Sequence, residues 1–290
     1  HSKYLLSLKV YRTFQYQALP AVNKDIPENQ RSTYQEAREG INIQEVKNWF
    51  VNRLLYANLP NSLSEEQLYN LEIAKNCFSL LDENYRYSRL LPSNEILIET
   101  PNGEIYYEYL SSGFKSCLSI VFGIIKDIEL RFKSPCVKVD EFNGVVLIDE
   151  LELHLHPEWQ GKVAKLLVEV FPGIQFIATT HSPHIIQAAN PEEIIALQND
   201  GADVCIRELP NKKYGFQGWS VEEVLVDVMG MSDTRTESYH NLMSAFETAI
   251  DNENYSSAKA TYKDLELLLH PENHLRKLLK FQLAAVKGDK

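Results

Sequence analysis

The chain has 290 residues and a mass of 33.3 kDa, with 44% hydrophobic and 24% charged residues, enough to bury a core without disulfide staples. Lys and Arg number 29 against 40 acids, a net charge of −11 and a pI near 5.3, which argues against indiscriminate nucleic-acid binding. The densest apolar run, Cys117 to Ile125, falls far short of the roughly 20 residues that a membrane span needs. The opening residues lack the ordered basic, apolar and small-residue regions of a signal peptide. Cys77, Cys117, Cys136 and Cys205 are too widely spaced for a zinc knuckle. A cytoplasmic protein with no membrane association is expected.

In chain order, residues 1–95 read as a mostly helical and irregular part of the domain, an insertion. Apolar stripes at Val46, Trp49, Phe50, Leu54 and at Leu68, Leu71, Ile73 carry the helices, with polar turns at 23–33 and 59–64. Arg86 and Arg89, interleaved with Tyr85 and Tyr87, fit a plain surface stretch or a nucleic-acid contact. Residues 96–210 read as an α/β core. Ile96–Thr100 and Glu104–Tyr109 flank Pro101-Asn102-Gly103, and Asn-Gly favours the primed hairpin turn. A helix follows Leu110-Ser111-Ser112-Gly113, with Leu118, Val121, Phe122, Ile125 and Ile128 on its stripe. Val145–Ile148 is apolar on both faces, as a buried parallel strand requires, and ends on Asp149-Glu150. Pro157 suits the first turn of a helix reaching about Phe171. Ile174–Ala178 reads as a second buried strand before Thr179-Thr180-His181-Ser182-Pro183, with two more strands at Ile194–Leu197 and Val204–Leu209. Residues 211–290 read as an all-helical extension. Its stripes are Val221, Val224, Leu225, Val228; Leu242, Met243, Phe246, Ile250; Tyr255, Ala258, Tyr262, Leu265, Leu269; and Leu275, Leu278, Leu279, Leu283. The fold class expected is α/β with a largely parallel sheet, a β-hairpin, helical insertions and the helical extension.

Ligands in open α/β sheets sit beyond the carboxyl ends of the strands. Two strands here end in Asp149-Glu150 and in His181, so two carboxylates and an imidazole share one rim. One acid to hold Mg²⁺, a second to position water and a γ-phosphate sensor suffice for phosphoryl transfer, because that chemistry asks for positioning and charge neutralisation. The Ser111-Ser112-Gly113 turn adds hydroxyls and free N–H groups at a helix start, and it fits an ordinary N-cap equally well.

The order of these motifs over about residues 96–200 resembles the C-terminal half of an ABC-type ATPase head, of the SMC, RecF-like and bacterial defence kind. The resemblance implies a fold of that type, ATP and Mg as cofactors, and a dimer or higher homo-oligomer closing through the signature face. It identifies Ser111, Ser112, Gly113 and Lys115 with nucleotide binding, Asp149 with Mg, and Glu150 and His181 with catalysis. His154 and His156 fall in the loop that crosses the dimer interface. Phe114 stands where such heads carry Gln or Glu. A Gly-x-x-x-x-Gly-Lys-Ser/Thr loop does not occur in the 290 residues, and Gly161-Lys162-Val163 does not replace it. With His1 as first residue, this predicts that a loop-bearing N-terminal part lies outside the sequence. The helical extension is similar to that of Septu-type anti-phage ATPases, which work with an HNH-type nuclease; DNA is a further possible ligand.

Three functions follow as alternatives: an ATP hydrolase, a nucleotide-gated scaffold recruiting an effector through its tail, and a metal-dependent hydrolase using His154, His156 and His181. The remaining histidines, His184, His240, His270 and His274, are expected in exposed or solvated settings, and the three tryptophans in packing.

Overall fold

The computed structural model describes residues 2–9, 19, 21–23, 40–41, 45–201, 203–210 and 213–288. The polar stretch 24–33 therefore lies outside the described residues. The chain divides into two compact units, His1–Val224 and Leu225–Lys290.

The first unit is organised by one helix. Strand β1 (Leu5–Leu8) is followed by α1 (Val46–Tyr56) and α2 (Glu65–Leu81), the latter opened by a capping box in which Ser64 and Gln67 satisfy each other's backbone N–H groups. A three-stranded antiparallel sheet comes next, β2 (Arg86–Leu90), β3 (Ile96–Thr100) and β4 (Gly103–Tyr106), turning at Gly103, whose φ of 104° glycine adopts without a Cβ clash. Then α3 (Ser112–Arg131) passes through the middle of the unit. From Gly113 to Leu130 only Lys115 is not buried. A helix buried on every side belongs in a core. Phe122 of α3 meets Phe50 and Trp49 of α1 at 4.9 and 6.0 Å between ring centroids, and Phe78 of α2 at 6.1 Å. Each such ring contributes roughly 1.5–3 kcal/mol by leaving water. One apolar cluster runs from Leu6 to Ile185, so residues before and after position 95 share a core.

The parallel sheet consists of β1, β5 (Gly144–Ile148) and β6 (Ile174–Ala178), in the order β1-β5-β6. Helix α4 (Pro157–Val170) makes the crossover between β5 and β6, and α5 (Pro183–Ala188) follows β6. Strand β7 (Leu197–Asp200) lies three residues later than the strand expected at Ile194–Leu197, and β8 (Asp203–Ile206) starts one residue earlier and ends three earlier than the one expected at Val204–Leu209. They pair only with each other, antiparallel, and stand outside the parallel sheet. Gly201 at φ 65° makes their tight turn. Strand β6 also departs from expectation: Gln175, Ile177 and Ala178 are exposed, Ile177 by 53%, so it is not a buried strand. Strands β1 and β2 fall where helix and irregular chain were expected. In β2 the Arg89 guanidinium forks onto the Glu104 carboxylate of β4 at 3.2 and 2.9 Å, and with Ser88 holds that carboxyl down at about 2. Tyr87 packs edge-on against Phe50. The stretch is a paired strand in which Glu104 answers the charge of Arg89.

Charges buried on α3 are matched. Arg53 of α1 bonds Glu129 at 2.7 Å, with Trp49 Nε1 at 3.0 Å and Asn70 Nδ2 at 3.2 Å completing the shell. Burial pushes the Glu129 carboxyl up, and these three donors pull it back. Burial also pushes the Cys117 thiol up to about 12 and raises Cys77, so neither is a nucleophile near neutral pH.

In the second unit, α6 (Val221–Glu223), which ends the first, leads into a wide helical turn at Val224–Val228. Three helices follow: α7 (Glu237–Asp251), α8 (Tyr255–Leu268) and α9 (His274–Gly288). Phe246, Ala258, Leu265 and Leu279 form their own small core. Among the described residues, no helix is long and apolar enough to cross a membrane.

Replacing Glu129 by Ala removes the carboxylate that pairs with the Arg53 guanidinium, which is 3% exposed. Urea unfolding should then show a loss of about 3–5 kcal/mol, whereas a change below about 1 kcal/mol would mean that the pair is not a buried ion pair in solution.

Candidate active site

The site begins with strand register. Strands β5 and β6 pair in parallel with Ile148 opposite Ala178, so both end on the same edge. The pairing continues past the strands. Thr179 N–H donates to Ile148 O at 2.9 Å and Leu151 N–H to Thr179 O at 3.0 Å, while Asp149 N–H reaches Leu8 O on the other flank at 2.9 Å. Between those bonds the chain turns through Glu150, whose φ is 48°, and Glu150 N–H donates to Thr179 Oγ1 at 2.9 Å. Asp149 and Glu150 thus stand on a fixed elbow, partly exposed, beside the Thr179–His181 segment. Lys9, one residue past β1, meets Asp149 Oδ2 at 3.3 Å, with side chains 37% and 41% exposed. A pair that open is worth little and is readily exchanged for another cation.

His181 is exposed at the end of β6. Its N–H donates to Glu152 Oε1, and the neighbouring Thr180 Oγ1 donates to Glu152 Oε2 at 2.6 Å. The next residue, Ser182, is buried and accepts from His184 N–H and Ile185 N–H at 3.1 and 3.2 Å, capping α5. His154 is exposed with φ 63°, and His156 Nδ1 accepts from Glu158 N–H at 3.4 Å as the N-cap of α4.

The Ser111-Ser112-Gly113 turn is built around a tryptophan. Ser111 Oγ accepts from Phe114 N–H at 3.2 Å, the N-cap role; a capping hydroxyl keeps its own proton to donate. A Cβ on Gly113 would lie 2.4 Å from Trp159 Cδ1, so the glycine is needed for α4 to close on α3. Phe114 packs between Tyr85 and Trp159 at 5.2 Å from each, in the core, which explains an aromatic residue where a polar one was expected. Lys115 donates to Glu108 O at 2.8 Å. Sequence reasoning gave Thr179 and Glu152 no part in this rim, whereas Trp159 lies in packing, as expected. A hydroxyl doublet ahead of His181 and an acid two residues past Glu150 were the available signals.

Among the described residues, no group of three or more His, Cys, Asp and Glu could hold a metal, so His154, His156 and His181 do not form the ligand set that a metal-dependent hydrolase requires. His156 is a helix cap, and His240 pairs with Asp233. The half-buried His184 lies in the first turn of α5. The donors at the rim are carboxylate and hydroxyl oxygens, a hard set that suits Mg²⁺.

Residues 20–187 match the family model described as "AAA domain, putative AbiEii toxin, Type IV TA system". The chain is 46% identical to Septu protein PtuA of Bacillus thuringiensis over 286 residues, 98% of this chain and 72% of that protein. The chain belongs to the PtuA family of AAA-domain ATPases. It also matches the "Retron Ec83 probable ATPase" of Escherichia coli at 28% identity, over 69% of this chain and 35% of that protein. A second Septu protein PtuA, from Bacillus mycoides (strain KBAB4), is 32% identical over 48% of this chain and 19% of its own length. A solved structure described as "Structural biochemistry of ATP-driven dimerization and DNA stimulated activation of SMC ATPases" aligns at 17% identity and a TM-score of 0.39. It covers 66% of this chain and 99% of that one, a likeness too loose to decide anything about this PtuA-family ATPase.

Gly113→Ala forces its new methyl into the Trp159 indole. The melting temperature should fall by the equivalent of about 1–3 kcal/mol, the range for overpacking a filled core, and an unchanged melt would mean that α3 and α4 are not so closely packed.

Proposed function

We propose that this PtuA-family chain supplies the hydrolytic rim of an anti-phage defence ATPase, acting in the cytoplasm as a dimer or higher homo-oligomer closed around ATP. The observation that carries the reading is the parallel register of β5 and β6, which sets Asp149-Glu150 and His181 at one sheet edge. Asp149 would hold Mg²⁺, exchanging its weak contact with Lys9 for it. When bound, the metal neutralises phosphate charge in the transition state. Glu150 orients the attacking water and accepts its proton. Its backbone position is set through the N–H held by Thr179 Oγ1. His181 hydrogen-bonds the γ-phosphate. Ser111, Ser112, Gly113 and Lys115 of one protomer face the nucleotide held by the other, with the α3 N-terminus favouring its negative charge. His154 and His156 occupy the crossing loop, and both are exposed. In the full-length protein, Glu150→Gln should lower ATP turnover by about 100-fold or more while an ATP-bound oligomer accumulates on sizing columns; unimpaired hydrolysis would remove Glu150 from the role.

The coupling to an effector is proposed to run through the second unit. Leu225–Lys290 has its own apolar core and still exposes Leu267, Leu278 and Phe281, which suits a docking module for an HNH-type nuclease. Removing residues 225–290 should leave hydrolysis intact and abolish co-purification of the nuclease. Equal recovery of nuclease with and without the segment would assign the docking to another surface.

A further inference from the structure

Glu152 has two acceptor oxygens, and both are committed to the segment that carries His181. Oε1 takes His181 N–H and Oε2 takes the Thr180 hydroxyl. Thr180 Oγ1 in turn accepts from Ser182 N–H at 3.0 Å. A second tie runs parallel to the first: Ser182 Oγ donates to Gln160 Oε1 at 2.5 Å, and Gln160 Nε2 donates to Leu155 O at 3.0 Å. The residues on both sides of His181 are therefore tethered to the 152–160 segment, which includes His154 and His156. Glu152 lies two residues beyond Glu150, and Leu151 N–H is bonded to Thr179 O in the same ladder. A shift of either segment carries the other with it.

We infer that Glu152 is a positioning residue, a carboxylate clamp that locks the His181 segment to the loop following Glu150, so that the two sides of the site move as one body. It acts through His181 and the Glu150 elbow. The inference rests on the hydrolytic reading of that rim. What the clamp needs is two hydrogen-bond positions, not a charge. A glutamine provides both, because its oxygen can accept from His181 N–H while its amide donates to the Thr180 hydroxyl, which reverses to accept. Alanine provides neither. Loss of the clamp loosens His181 without removing it, and misplacement on the scale of an ångström is costly to turnover.

The test uses steady-state ATP hydrolysis by the full-length protein carrying Glu152→Ala, Glu152→Gln or Thr180→Val, with Glu150→Gln as control. Binding of a fluorescent non-hydrolysable ATP analogue and thermal melting are measured alongside. Glu152→Ala should lower kcat by about tenfold or more with analogue affinity within about twofold of the parent. Glu152→Gln should restore most of the lost turnover, and Thr180→Val should fall between the two. If Glu152→Gln loses as much as Glu152→Ala, the charge matters and the clamp is wrong. If Glu152→Ala turns over normally, or loses turnover, analogue binding and melting temperature together, Glu152 has no positioning role. Normal hydrolysis by Glu150→Gln would instead overturn the reading of the rim itself, which separates the two failures.

Discussion

The backbone ladder around Asp149 and Glu150 is the constraint on which the rest of the first unit depends. On one flank Asp149 N–H is bonded to Leu8 O of β1, and on the other Thr179 and Leu151 continue the β5–β6 pairing beyond Ile148. Each bond contributes only about 1 kcal/mol net, and together they leave the elbow a single path. Side chains at that edge inherit their positions from a sheet held on both sides, which is the rigid support a water-positioning carboxylate requires. The exposed face of β6 does not weaken this, because the ladder needs only the inner edge of that strand.

Helix α3 fixes the sheet to everything else. Arg131 near its C-terminus donates to Leu5 O at 2.7 Å and so holds the first residue of β1. At its N-terminus Gly113 lets Trp159 of α4 lie directly on the backbone. A helix of twenty residues spans about 30 Å, so this one element connects the first strand of the sheet to the Ser111–Gly113 turn. Its buried charges serve that purpose at a desolvation cost, which Arg53, Trp49 and Asn70 offset around Glu129. The core is thereby made specific as well as apolar, since a slide of α3 by one turn would leave Arg53 without its acid.

Much of the α/β layer could be read from the sequence because its periodicities are strong. The four-residue apolar run Val145–Ile148 of β5, the α3 stripe and Pro157 at the start of α4 each carry a local signal. Strand β1 did not, because Leu5-Leu6-Ser7-Leu8 is only four residues long and is identifiable as a strand only by its pairing with β5. Strand β2 was obscured by Arg89 and Tyr87, whose partners, Glu104 and Phe50, are distant in sequence. The exposure of β6 was equally hidden, since an apolar run gives no sign of which face is covered. At the rim the acids and His181 were legible as candidates. Thr179 and Glu152 were not, because their importance lies in whom they bond, and those bonds cross 28 or 29 positions of chain. The role of Gly113 was legible as a small residue at a helix start and illegible as the seat of Trp159.

The conformation of Glu150 connects these observations. Among the described residues, five that are not glycine have positive φ: Asn61, Asn94, Glu150, His154 and Glu253. Asparagine visits that region readily, and Glu253 lies in the short turn between α7 and α8. Glu150 and His154 remain, both within six residues of the end of β5. Glycine at position 150 would relieve a strain of about 1–3 kcal/mol and would carry no carboxylate. The neighbouring ladder bonds, with the Thr179 hydroxyl on the Glu150 N–H, hold the elbow against that strain. The left-handed turn has a geometric consequence as well: it reverses the chain immediately after the acid pair, and that reversal brings Glu152 back under the Thr180–His181 segment, where its two oxygens meet two donors. One unfavourable backbone angle therefore serves both sides of the rim. It sets Glu150 at the sheet edge and delivers the carboxylate that holds the histidine opposite.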